Sequence, residues 1–126
     1  MIGPKRLRAY FFKTDSGNEP VRDWVLSLSL DDKKQIGKSI LKIEMGWPIG
    51  MPYCRPMQNG LFEVRCNLES KRIARILFTI ENNQMVLLHG FVKKAQKTPK
   101  QDIDLAVQRM KQIHRQLEKE ANDKSK

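Results

Sequence analysis

Two hydrophobic periods divide this chain. Apolar positions alternate or run on through "LRAYFF" (Leu7–Phe12), "LFEVRCN" (Leu61–Asn67), "KRIARILFTI" (Lys71–Ile80) and "QMVLLHGFVKK" (Gln84–Lys94), which predicts four strands. The connectors "LES" and "ENN" are short enough for antiparallel hairpins. Elsewhere the apolar residues recur every third or fourth position. Val21, Trp24, Val25 and Leu28 follow Pro20, a residue suited to the first turn of a helix. Ile36, Ile40 and Ile43 line a second helix, opened by Ser29 and Asp32 as a capping box and stopped at Gly46. Ile103, Ala106, Val107, Met110, Ile113 and Leu117 form the stripe of a third. There Thr98 is placed to cap, Pro99 to take the first helical position and Gln101 to complete a capping box. The loop "GWPIGMPYCRPMQNG" must lie over something, because Trp47, Met51 and Tyr53 would otherwise face water. The order strand–helix–helix–three antiparallel strands–helix predicts an α+β fold with the helices on one face of the sheet. It forms a single domain over residues 1–126, frayed at 121–126.

Strand side chains alternate in direction, so each strand divides into two faces. Phe62, Val64 and Cys66 share one face with Ala74, Ile76, Phe78 and Ile80, and with Val86, Leu88, Gly90 and Val92; these predict the core. The opposite face carries Leu61, Glu63, Arg65, Lys71, Ile73, Arg75, Leu77, Met85, Leu87, His89, Phe91 and Lys93. It is expected to be an open polar surface, extended by Lys94 and Lys97, on which Arg75 is dispensable for folding.

Charge sharpens this picture. The 126 residues include 24 basic and 14 acidic ones, a formal charge of +10, which favours a polyanionic partner, nucleic acid first. Cys54 and Cys66 form no C-x-x-C pair, and His89 lies far from His114 in sequence, so a four-ligand structural zinc site is not expected; no cofactor is expected either. Two scattered thiols fit the reducing cytoplasm. The start "MIGPKRLRAYFF" lacks a signal-peptide pattern, and no stretch is long enough to span a membrane.

Arg65 and Arg75 are either surface ion pairs with Glu63 or a clamp for phosphate oxygens, which planar guanidinium binds bidentately. Phe91 is either an incidental surface aromatic, or cover for the loop at Trp47, or a platform on which an unpaired base stacks. His89 is either a structural histidine or a proton carrier among cations. Lys93, Lys94 and Lys97 are either a solvated charge run or part of an anion-attracting field near a helix N-terminus.

"GLFEVRCN", "RIARILFTI" and "LLHGFVKKAQKTPKQDIDLA" together resemble the HigB-like, phage-derived branch of the RelE/ParE toxin superfamily, and "PVRDWVLSL" fits its first helix. The resemblance implies a RelE-like fold and the toxin of a type II toxin–antitoxin pair. It implies a metal-independent endoribonuclease acting on mRNA at the ribosome, and a cognate antitoxin of helix-turn-helix type. On this resemblance the catalytic candidates are Arg65, Arg75, Lys93, Lys94, His89 and Glu63, and the RNA-binding candidates are Phe91, Lys97 and Lys71. The superfamily's ParE branch acts on gyrase instead, which leaves open a gyrase-directed toxin, or a basic binding module without catalysis.

Overall fold

The computed structural model describes residues 4–50, 53–93 and 97–124. Its elements are β1 (Arg8–Phe11), α1 (Pro20–Leu26), α2 (Leu30–Gly46), β2 (Cys54–Pro56), β3 (Leu61–Asn67), β4 (Ile73–Glu81), β5 (Gln84–Lys93) and α3 (Lys100–Lys124). The strands form one sheet in the order β1-β5-β4-β3-β2. All neighbours are antiparallel except β1, which runs parallel to β5. Asn82 and Asn83 turn β4 into β5 with positive φ at both positions, the conformation a tight two-residue hairpin needs. The fifth strand, β2, is an addition to the four predicted; three residues are too few to display an alternation. Pro20 sits in the first turn of α1, and the Ser29 hydroxyl accepts from the Asp32 N–H to cap α2. At the other end of the chain, α3 continues through Lys124, beyond the point where fraying was expected.

The helices do not share one face, contrary to the sequence expectation. Val21, Ile36 and Ile43 from α1 and α2 pack with Val64, Cys66, Ile76 and Phe78 on one side of the sheet. Ala106, Met110 and Ile113 of α3 pack with Leu61, Leu77, Leu88 and Phe91 on the other. The second face is apolar enough to need cover, and the stripe of a 25-residue helix supplies it. Trp47 does cover the core, edge-on to Phe62 at 5.0 Å and to Phe78 at 6.3 Å. Tyr53 lies more openly, beneath the Lys42 ammonium at 3.9 Å.

A β-bulge corrects the face assignment of β5. Leu77 pairs with His89, but the next residue, Phe78, pairs with Leu87, so Leu88 is the extra residue. Gly90 and Val92 keep the predicted side. Beyond the bulge the sides exchange: Met85 and Leu87 join the α1/α2 core, while Val86 and Leu88 face α3. The Leu88 carbonyl, displaced from the ladder, accepts from Arg109 Nη1 of α3 at 2.7 Å. Burial lowers the proton affinity of this guanidinium, which also lies over the Phe12 ring.

Candidate active site

The register of β3, β4 and β5 places Arg65 opposite Arg75, Arg75 opposite Phe91, and Leu77 between Glu63 and His89. Glu63, Arg65, Arg75, His89 and Phe91 therefore lie on one face of the sheet, as the alternation predicts. The face is not open, because α3 lies across it. Glu63 is 0% and Arg75 1% exposed, so neither belongs to a solvated surface. Arg75 Nη1 donates to the Thr98 hydroxyl at 3.1 Å, and that hydroxyl donates to Glu63 Oε2. The direct Arg75–Glu63 separation is 4.0 Å. The Thr98 hydroxyl thus bridges the members of this buried pair. Burial lowers the proton affinity of Arg75, the Glu63 carboxylate opposes that, and the nearby guanidinium groups of Arg65 and Arg55 lower it again.

Two further expectations change with the cover of α3. Phe91 is only 7% exposed and packs under α3, so its ring is not an open stacking platform. Lys71 lies in the turn before β4, exposed and at positive φ, instead of on the strand's face. Lys97 is exposed just ahead of α3 and Arg65 is half-buried. The side chain of Lys93 and the whole of Lys94 lie outside the described residues.

His89 Nε2 lies 2.7 Å from Asp102 Oδ1 in the first turn of α3. Its ring is 5.4 Å from that of Phe91 and tilted 30° to it. A carboxylate on one ring nitrogen fixes the orientation of an imidazole and favours the tautomer with its proton there. Asp102 gives no distinct signal in the sequence, because an acidic residue in the first turn of a helix is ordinary there. The sequence reading passed over it and also over Arg55, which pairs with Glu63 across β2 and β3 and whose strand is too short to signal itself. Arg55, Met57, Lys97, Thr98 and Ile103 line a cleft of about 140 Å³ between β2 and the start of α3. Two broader grooves flank β1 at the opposite sheet edge, sharing Lys5, Arg8 and Tyr10. Among the described residues no group of three or more His, Cys, Asp or Glu is arranged to hold a metal ion. No described helix is long and apolar enough to cross a membrane.

Cys54 and Cys66 are free and buried. Burial pushes the Cys54 thiol up to about 11, and the Cys66 thiol donates to the Ser39 hydroxyl at 2.8 Å. Neither has the lowered pKa of a reactive thiolate.

Residues 23–111 match the model of a family described as phage derived protein Gp49-like (DUF891). That span runs from α1 into α3 and includes every site residue named above. No curated protein matches the chain.

Proposed function

Because the chain belongs to the phage-derived Gp49-like family, a RelE-type, toxin-like family of toxin–antitoxin systems, we propose that it is the toxin of a type II pair. In this reading it is of the HigB-like branch and cuts mRNA on the ribosome as an endoribonuclease. A protein antitoxin, with a helix-turn-helix for DNA, holds it inactive.

The reading is carried by the His89–Asp102 pair, set on the same sheet face as Arg65 and the buried Arg75. The reaction is internal transesterification. His89, its Nε2–H donated to Asp102, takes the proton of the substrate 2′-hydroxyl at Nδ1. The 2′-oxygen bonds to the adjacent phosphorus, the bond from phosphorus to the 5′-oxygen breaks, and a lysine (Lys93, Lys94 or Lys97) returns a proton to the leaving oxygen. The products are a cyclic phosphate and a free 5′-hydroxyl. Arg65, the more accessible guanidinium, binds the phosphorane oxygens, and Arg75 adds its field from beneath. Glu63 positions Arg75 and is not the base in this reading, since it is 0% exposed beneath α3 and out of a substrate's reach.

The test is to express the chain alone, follow growth, and map mRNA ends on programmed ribosomes. The wild type is expected to arrest growth and leave 5′-hydroxyl ends. His89→Ala is expected to slow cutting by about 10²–10⁴-fold, the usual contribution of a general acid or base. Intact mRNA in arrested cells would reject the ribonuclease reading in favour of a gyrase-directed toxin.

A further inference from the structure

We infer that the cleft between β2 and the start of α3 is a single-nucleotide subsite, seating one base ring over Met57 and Ile103 and its phosphate between Arg55 and Lys97. The identity of the occupant as one nucleotide of an RNA strand rests on the ribonuclease reading above.

The first ground is charge. Arg55, Arg65 and Arg75 gather around one carboxylate, Glu63, closely enough that the first two lower the proton affinity of the third. Lys97 brings a further cation to the cleft wall, and no acidic residue lines it. Neither Arg55 nor Lys97 forms an ion pair among the described residues. Like charges assembled around so little negative charge oppose folding, and a bound phosphate relieves them.

The second ground is shape. The cleft's volume of about 140 Å³ is close to the roughly 150 Å³ that admits a benzene ring in an engineered cavity. Met57 and Ile103 give it apolar walls, which a free anion would leave unfilled. The third ground is rigidity. Thr98, also in the wall, is tied by its hydroxyl to the buried Arg75–Glu63 pair. The interior thereby fixes where Lys97 and the start of α3 stand, so little ordering remains to be done on binding.

The experiment is amide and methyl NMR on the full chain, titrated with the deoxydinucleotide thymidylyl-thymidine, which has no 2′-hydroxyl and so reports binding without chemistry. The expected result is shifts at the amides of Arg55, Met57 and Thr98–Ile103 and at the Met57 and Ile103 methyl groups. Affinity should fall about tenfold or more in R55A/K97A, since charge-assisted contacts are lost, and should be largely kept in R55K/K97R. Both side chains are exposed, so neither variant threatens the fold. Shifts confined to other surfaces, or equal binding by R55A/K97A, would overturn the subsite. Inorganic phosphate binding as tightly as the dinucleotide would reduce it to an anion site and overturn the nucleotide claim. Displacement of the dinucleotide by hexaglutamate at equal concentration would point to a protein-docking surface instead. Binding at these amides by a chain that cuts no RNA would sustain the subsite and reject the ribonuclease reading alone.

Discussion

Arg75 and Glu63 are two of the largest side chains taken fully out of water, and they are oppositely charged. Removing one member of a buried ion pair leaves the other unpaired in a low dielectric, at a cost of about 3–5 kcal/mol. That is a large share of the roughly 5–15 kcal/mol that holds an ordinary domain folded. Arg75→Ala is therefore expected to lower the urea midpoint sharply, contrary to the expectation from sequence that this residue is dispensable for folding. The paired replacement Arg75→Leu with Glu63→Leu should recover most of the loss. A single variant that melts like the wild type would show that the pair does not hold the sheet to α3. Toxicity lost in Arg75→Ala must accordingly be read beside its melting curve. Alternation alone put Glu63, Arg65, Arg75 and His89 on one face. It could not show which of them α3 would bury, because burial depends on where a distant helix docks. Nor could it foresee that the Thr98 hydroxyl would bridge these two charges.

At the scale of elements, the fit of α1 against β5 turns on one missing side chain. A Cβ built on Gly90 would stand 2.3 Å from Trp24 Cζ3 and 2.5 Å from Cε3. The indole is rigid and wedged into the core, so Gly90→Ala forces α1 away from the sheet. The expected cost is about 1–3 kcal/mol, the range for overpacking a core. In a Trp24→Leu background the same change should cost distinctly less, and a double-mutant cycle on urea midpoints measures the difference. Additivity would mean that the two residues do not meet. The glycine in "HGF" is thus explained by packing and calls for no catalytic role. Element types were legible in this chain wherever the period ran long, as in α2, β3 and the stripe of α3. The bulge at Leu88 was not legible, since an extra residue leaves the apolar run "MVLL" unbroken while exchanging its faces. The docking side of α3 was hidden for a related reason. Leu61, Leu77 and Phe91 were diluted among charges on the face where it lands, and the stripe shows that a helix must be covered without showing by what.

On the scale of the whole molecule, the sheet separates two tasks. The α1/α2 side is an apolar core, and the α3 side mixes apolar packing with the arginines, the His89–Asp102 pair and the cleft at Arg55. The chain's formal charge of +10 favours encounter with a polyanion such as the proposed RNA substrate. Binding and cutting should therefore respond to different changes. In the proposed function, affinity is expected to come mainly from phosphate contacts, each releasing counterions; for single strands the logarithm of the binding constant falls with that of salt by about 0.7 per phosphate neutralised. Chemistry, in the proposed reaction, depends on one hydroxyl of the substrate. An mRNA carrying a single deoxynucleotide at the mapped cut site, presented on a programmed ribosome, separates the two. Cutting at that bond is expected to stop, because the nucleophile is gone, while binding and its salt slope stay close to those of the unmodified message. Continued cutting would mean that water or a protein group attacks phosphorus, and His89 would then have to activate that group. A deoxy substitution that abolishes binding as well would place the 2′-hydroxyl among the recognition contacts, against an affinity built on phosphates.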